Sequence, residues 1–413
     1  VTAAKRAAGR SGKPQMSVLR ITLVLGVLEA FGPLSLDLYL PQLPQLARSL
    51  ETTDALAQAT MSVCMIGLGL GQLIAGPLSD RFGRKRPLVI GVALFALLSA
   101  VCAIAPTIEI LLAARFLQGL AGAAGVVISM AVARDLFEGV ELSRMLSLLA
   151  LVTSLTPIVA PVIGGQLARF MDWRGIFFVL AGIGVALVCV AQFGLRETLH
   201  EGRHEGKVIR TTAGNVGTVL RDPLFMAFMT ASFLGGIAFF SYISMSSFVL
   251  QGEFGLTPQM FSMVFAMNAL AQLGGSQLSR VFVRRLGIAR MYLTGQLASA
   301  TAACVLVVST LLGAGPIVFI VLLALYLGSA GLGGPNGTSI ALSSHGARAG
   351  TASAMLGLSM FAGGAVIAPV VSSVFGTSTM TMAATIAIGS ALATCVALYA
   401  ILRVLPRERP GLL

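Results

Sequence analysis

The stretch from Pro87 to Pro106, "PLVIGVALFALLSAVCAIAP", contains no charged residue, and runs like it recur along almost the whole chain. An apolar run of about 18 residues or more can cross a bilayer as a helix, because a helix satisfies its backbone N–H and C=O groups internally. Twelve such spans are expected, at 18–41, 57–78, 87–106, 108–133, 141–168, 174–195, 223–250, 258–282, 288–312, 316–341, 347–374 and 378–402. Only 11% of the residues are charged, where soluble domains carry about a quarter. A transmembrane barrel would alternate polar and apolar residues in segments of about 10, and that pattern is absent. The expected fold class is therefore all-α: a polytopic membrane protein of twelve helices. Pro87, Pro223, Pro258 and Pro316 open spans where a missing N–H does no harm, and Asp222 and Thr257 are placed to cap two of them.

A net charge of +12 would suit nucleic acid, but the positions of the charges argue against that partner. With the N-terminus placed in the cytoplasm, 24 of the 28 Lys and Arg fall in inner segments. Three (Arg48, Arg169, Arg174) fall outside and one, Arg115, lies within a span. This bias predicts cytoplasmic termini and an even number of spans, with the basic side against anionic lipid headgroups. Trp173 falls at an outer interface, as a belt residue would. The basic arm (Lys5, Arg6, Arg10, Lys13) ahead of an apolar stretch resembles a signal peptide. That stretch is too long for one, shows no convincing cleavage site and is followed by many more, so it is read as a retained first span.

The segment 196–222 separates six spans from six, giving an N-terminal bundle (1–195), a cytoplasmic linker and a C-terminal bundle (223–413). "LSDRFGRK" (78–85) aligns with "LSRVFVRR" (278–285), and "VAPVIGG" (159–165) with "IAPVVSS" (367–373). Chance likeness among apolar sequences is one reading. Duplication of a six-helix unit, with a substrate site between the halves, is the other. The outer loops are short and leave nothing to fold as a soluble domain. The five cysteines lie in apolar runs without a CxxC or Cys/His cluster and read as small buried residues. His200 and His204, four apart, read as part of a solvated linker. "GRSGKP" (9–14) lacks the Ser/Thr and spacing of a phosphate loop, so neither a cofactor nor a metal is expected.

Three stretches carry chemistry. In "GPLSDRFGRKRP" (76–87), Asp80 sits among Arg81, Arg84, Lys85 and Arg86, and Gly83 permits the tight turn. The loop is either a topology signal or a charge latch holding one conformation. Its pattern (Gly76, Asp80, Arg81, Gly83, Arg84, Lys85) resembles the signature of the major facilitator superfamily, and the second-half copy lacks both the acid and the glycine (Arg280, Val283). In "RFLQGLAGAAG" (115–125), small residues permit close helix packing. A charge like Arg115 costs roughly 2.5–3.5 kcal/mol or more within a span, which packing does not explain. In "LTPIVAPVIGG" (155–165), Pro157, Pro161, Gly164 and Gly165 describe a kinked, closely packed helix. They also resemble the fifth-span signature of proton-driven exporters, with Ala160 where that pattern has glycine. Together with "LDLYLPQLP" (36–44), these stretches resemble the bicyclomycin/chloramphenicol-resistance (Bcr/CflA) family of drug/proton antiporters. That resemblance implies two pseudo-symmetric six-helix bundles and export of small, mostly apolar antibiotics in exchange for protons.

The first span holds Glu29 and Asp37 and no basic partner. At about 1.5 Å per residue, Asp37 lies about 6 Å and Glu29 about 18 Å below the outer end of the span, and Arg115 about 12 Å down the fourth span. The resemblance places these two spans side by side at a central cavity. Two carboxylates and one guanidinium sum to −1, or to 0 with one proton bound. Burial favours the protonated carboxyl and a neighbouring guanidinium the ionised one, so the trio is a candidate proton and substrate switch. A static ion pair with a spare acid is the other reading. Tyr39, Gln118, Tyr242, Asn268 and Asn336 are candidate substrate contacts, and each also fits ordinary packing. Glu109 suits the N-terminus of the fourth span through the helix dipole. The expected protein is a monomeric proton-coupled drug exporter. A metabolite transporter is the alternative, and an enzyme is excluded by the lack of a metal motif or a nucleophile with its base.

Overall fold

The computed structural model describes residues 18–195, 197–199, 216–345 and 348–408. The basic N-terminal arm, His200, His204 and most of the 196–222 segment lie outside the described residues. Within them the chain forms twelve long helices: α1 Val18–Asp37, α2 Asp54–Phe82, α3 Lys85–Ile104, α4 Ile108–Leu136, α5 Gly139–Leu167, α6 Trp173–Gly194, α7 Pro223–Phe248, α8 Pro258–Leu286, α9 Ile288–Leu311, α10 Pro316–Leu342, α11 Ala349–Phe375 and α12 Thr379–Tyr399. The described residues include no strand. Eleven helical stretches are long and apolar enough to cross a membrane, which makes this a multi-pass membrane protein. The remaining one, α8, has 29 residues and is long enough at about 43 Å. It is too polar to count by composition, because it carries Gln259, Asn268, Gln272, Gln277 and Arg280. It packs against α5 and α10, and there Asn268 and Ser279 are buried.

Local chemistry explains most helix ends. Thr53, Asp172, Asp222 and Thr257 accept backbone N–H groups of the first turns of α2, α6, α7 and α8, which meets donors no helix can satisfy internally. Pro223, Pro258 and Pro316 stand at first helical positions, as expected. The first span departs from its expected 18–41. α1 stops at Asp37, a short 3-10 turn covers Leu40–Gln42, and a separate short helix runs Leu43–Ser49. Pro41 and Pro44 cause the break, since neither has an N–H to return to the carbonyls of Asp37 and Leu40.

The first six helices pack in pairs that recur, six positions on, among the last six. α1 meets α4, α5 and α6 as α7 meets α10, α11 and α12. The pairs α2–α4, α3–α4 and α3–α6 recur as α8–α10, α9–α10 and α9–α12. The register corrects one sequence alignment. α2 and α8 match at an offset of 204: Thr53 and Thr257 cap them, and Gly83 (φ 89°) and Gly287 (φ 82°) end them. The likeness of 78–85 to 278–285 is one helical turn out of register. The turn glycine of the second half is thus retained as Gly287, and the counterpart of Asp80 is Arg284.

The end of the molecule bearing the loops around Gly83 and Gly287 is the basic end, and the end bearing Pro41 and Thr107 is the far end. Among the described residues, the hydrogen bonds that join the two halves lie towards the far end. Gln58 donates to Thr377 Oγ1 (3.1 Å) and accepts from Ser372 (2.8 Å). Ser247 donates to Leu40 O (2.7 Å), Gln251 to Pro41 O (2.9 Å) and Gln259 to Gly165 O (3.0 Å). Trp173 is not a belt residue. It is fully buried, donates from Nε1 to Ser49 Oγ (2.6 Å) and stacks under Arg174 (4.3 Å). Cys64 and Cys102 are buried as expected, whereas Cys189, Cys304 and Cys395 lie on the outer surface.

Candidate functional site

Within the helices of the N-terminal half, three charged side chains are buried among the described residues: Glu29 and Asp37 on α1, and Arg115 on α4. Arg115 is fully enclosed and makes no ion pair with either acid. Its guanidinium is held by neutral oxygens. Nη1 donates to Gln118 Oε1 (2.6 Å) and to Ser35 O (3.3 Å), and Nε donates to Thr60 O (3.3 Å). The rings of Tyr39 and Phe177 lie 4.7 and 5.4 Å from its central carbon, and desolvated cation–π contacts of this kind contribute about 2 kcal/mol. Nη2 has no hydrogen-bond partner. Ser35 sits in the last turn of α1, so Arg115 caps the negative end of that helix.

The cage extends through Gln118, whose Nε2 donates to Ser99 Oγ (2.6 Å) on α3. Ser99 in turn donates to Phe95 O (2.7 Å). Tyr39 Oη lies 3.0 Å from Thr60 Oγ1. The Thr60 proton goes to Ala57 O (2.6 Å), so Tyr39 is the donor. Tyr39 and Gln118 are both fully buried within this half and position Arg115.

Neither acid has a full set of partners. Glu29 Oε1 accepts from Thr153 Oγ1 on α5 (3.3 Å), and Oε2 is buried with none. Asp37, the last residue of α1, accepts no hydrogen bond from the described residues and lies within electrostatic range of the Tyr242 hydroxyl on α7. That hydroxyl accepts from Asn268 Nδ2 (3.2 Å), its ring stacks on Phe265 (centroids 5.5 Å apart), and Asn268 Oδ1 is buried without a partner. Tyr242 and Asn268 thus form a buried polar pair that joins α7 to α8. Asn336 stands apart. It donates to Ser279 Oγ (2.7 Å) and Leu332 O (2.9 Å) and joins α10 to α8.

The glycines of α5 have a clear steric role. A methyl on Gly164 would strike the carbonyl of Leu38 in the α1 break, and one on Gly165 would strike Ser262 and Pro258 O of α8. Two consecutive glycines thus let α5 approach both halves of the far-end closure. Pro157 and Pro161 lie within the helix and free the carbonyls of Thr153 and Pro157.

At the basic end, Arg84 gathers the charged loop. Its Nη1 pairs with Asp80 (2.5 Å) and donates to Ser79 Oγ (2.8 Å), and its Nε pairs with Asp135 at the end of α4 (2.8 Å). Arg81 lies over Phe82 (5.2 Å), and Gly76 has room around it. Glu197, just past α6, accepts the backbone N–H groups of Arg84 (2.8 Å), Lys85 (3.2 Å), Thr198 (3.0 Å) and Leu199 (3.0 Å). Burial alone would raise its carboxyl, but these four donors outweigh it and hold the group below the usual range. A methyl on Gly83 would meet that carboxylate, so glycine is required there for space as well as for its positive φ. Sequence reasoning missed Asp135 and Glu197. The available signal was a carboxylate beside otherwise basic loops.

The comparisons agree with this architecture. Residues 25–369 match the model of the Major Facilitator Superfamily. The chain is 38% identical over 357 residues to the MFS-type transporter YdgK of Bacillus subtilis, covering 86% of this chain and 88% of that one. It is 30% identical to a bicyclomycin resistance protein homolog of Haemophilus influenzae (87% and 90% covered). It is 29% identical to the multidrug resistance protein MdtL of a Shewanella strain (79% and 82% covered). Among solved structures, a D-xylose–proton symporter superposes with a TM-score of 0.72 at 15% identity, covering 93% of this chain and 97% of that one. A bacterial homolog of the lysosomal transporter Spinster, inward-facing and unoccupied, gives 0.73 at 15% identity (93% and 96% covered). At such identities these structures bear on the fold alone. The family model spans most of the described helices, and the repeat of six helices is built as that fold requires: the chain is a transporter of the major facilitator superfamily, with multidrug-resistance proteins among its relatives.

Proposed function

We propose that the protein exports small, mostly apolar drugs in exchange for protons, by alternating access between its two bundles. The relatives named for bicyclomycin and multidrug resistance support the substrate class. The observation that carries the mechanism is the buried Arg115, held by neutral oxygens while two incompletely partnered carboxylates occupy the neighbouring helix. Glu29, Asp37 and Arg115 sum to −1, or to 0 with one proton bound. Arg115 supplies a fixed positive field at the end of α1, and a drug entering beside Asp37, Tyr242 and Asn268 displaces the proton. Asp37 is the coupling acid because it ends α1 where the two halves meet, and Glu29 is the deeper substrate contact. Tyr39 and Gln118 act through Arg115. Asn336 binds substrate only if its bond to Ser279 opens. The loop of Gly76, Asp80, Arg81, Gly83, Arg84 and Lys85 is the conformational latch. The protein works as a monomer in a bacterial inner membrane, with its termini and basic end in the cytoplasm.

Two measurements test this reading. Proteoliposomes with an imposed pH gradient should accumulate or expel members of a panel of antibiotics. Uptake of sugars or amino acids alone would replace the drug reading with metabolite transport. Purified protein should release protons when an active drug is added. Asp37→Asn and Glu29→Gln should each reduce that release, Arg115→Ala more than either, and Arg115→Lys should restore it only in part, because lysine lacks the planar fork. Unchanged release in all variants would leave Arg115 as a structural cation.

A further inference from the structure

We propose that Ser247 and Gln251 of the α7 arm are the positioning residues of a hydrogen-bond gate, which holds the far end shut by gripping the buried carbonyls of Leu40 and Pro41 in the α1 break. The inference starts from α1. Pro41 and Pro44 cannot return N–H groups to Asp37 O and Leu40 O, and in the 3-10 turn that follows Leu40 O keeps a backbone bond from Leu43 N with its second lone pair free for a side-chain donor. Gly164 of α5 fills one side against Leu38 O. The other side is taken from across the molecule. Ser247 Oγ donates to Leu40 O (2.7 Å), and Gln251 Nε2 donates to Pro41 O (2.9 Å). The same Nε2 gives its second hydrogen to Ser247 Oγ (2.8 Å), so the two side chains act as one directional chain from Gln251 through Ser247 to the α1 break.

Two independent features mark this as a working element. Residues Val249–Glu253, which contain Gln251, form a π-helical turn, in which Phe254 N reaches five residues back to Val249 O (3.2 Å). This π turn closes α7 where the chain leaves the helix, and π geometry is frequent at functional positions. The second feature is placement. Ser244, Ser247 and Gln251 share one helical face, and Ser244 Oγ is buried with no partner. Within this grip every group is neutral, so opening the far end costs no separation of charge here. Each net neutral bond shifts an equilibrium roughly fivefold, strong enough to bias the far end and weak enough to be released in every cycle.

This gate rests on the alternating-access reading and is tested separately from proton coupling. Spin labels at Arg48→Cys and Leu312→Cys, both exposed and at the far end of opposite halves, report far-end opening by pulsed electron resonance in a chain whose five cysteines are replaced by serine. No drug or proton gradient is needed. Ser247→Ala and Gln251→Met should each raise the ratio of long to short distances about fivefold, and the double variant by about tenfold or more. Ser247→Thr, which keeps the hydroxyl, should restore the short distance. Unaltered distances in both variants, in protein with a normal melting temperature, would overturn the proposal. Misfolding of Gln251→Met leaves the Ser247→Ala and Ser247→Thr pair as the deciding comparison. If proton release is insensitive to Asp37→Asn while these distances still shift, the coupling reading fails and the gate stands.

Discussion

Arg115 shows how a single residue can be found by sequence and still be misjudged in its partners. A guanidinium in an apolar span demands compensation, and Glu29 and Asp37 were the obvious source. The fold instead compensates it with a carbonyl at the end of α1, a carbonyl of α2, the Gln118 amide and two aromatic faces. None of these is visible as charge in the sequence. Glu197 is the converse, a carboxylate outside the membrane neutralised by backbone N–H groups alone. Its depressed carboxyl makes a signed prediction. The stabilisation is complete well above about pH 4.3, the ordinary glutamate value, and is lost as pH falls through the lower folded value. Glu197→Gln should therefore melt at a lower temperature than the parent at pH 7, with the gap constant down to about pH 5 and closing below it. A gap that persists undiminished at lower pH would mean that packing against Gly83, and not the ionised carboxylate, is what the variant removes.

Among the elements, α1 and α5 depend most on local irregularity. α1 ends where it does because of two prolines in "LYLPQLP", and α5 can lie against the resulting carbonyls only because Gly164 and Gly165 lack side chains. Gly164→Ala should cost about 1–3 kcal/mol, the usual range for overpacking, since the obstructing atom is backbone and cannot turn aside. Gly182→Ala on α6, where nothing lies within 4 Å of the added methyl, should leave the melting temperature unchanged or slightly raised. Thermal melts of the two purified variants make the comparison. The helix α8 carries the complementary lesson. Its polar residues weaken its apolar signal, yet some of them tie it to its neighbours: Asn268 to Tyr242 of α7, Ser279 to Asn336 of α10 and Gln259 to Gly165 of α5.

For the whole molecule, closure is lopsided: among the described residues, the hydrogen bonds between the halves lie towards the far end. That arrangement fits a transporter waiting to load from its basic end, and the sidedness is directly testable. A cysteine introduced at position 207, in a chain whose native cysteines are replaced, should resist a membrane-impermeant maleimide added to intact cells and react after the cells are opened. Reaction in intact cells would invert the topology. The internal repeat was legible in the α5 and α11 prolines, Pro161 and Pro369. It was misread by one helical turn between α2 and α8, because basic residues and leucines recur at helical spacing and mimic homology when shifted by four.

The sequence by itself determined the number and placement of the membrane-crossing helices, most of their caps and the position of the irregular segments. Hydropathy, missing proline N–H groups and capping side chains are local properties that add up along the chain. The tertiary structure alone decided who meets whom: Arg115 with neutral oxygens and not an acid, Asp135 and Glu197 with the Arg84 loop, Ser247 and Gln251 with the α1 break. Apart from Arg115 with Gln118, one turn along the same helix, those contacts join residues from about 50 to over 200 positions apart, across helices whose apolar faces all suit lipid equally well. Lateral packing, glycine against carbonyl and donor against orphaned acceptor, is what selects among them.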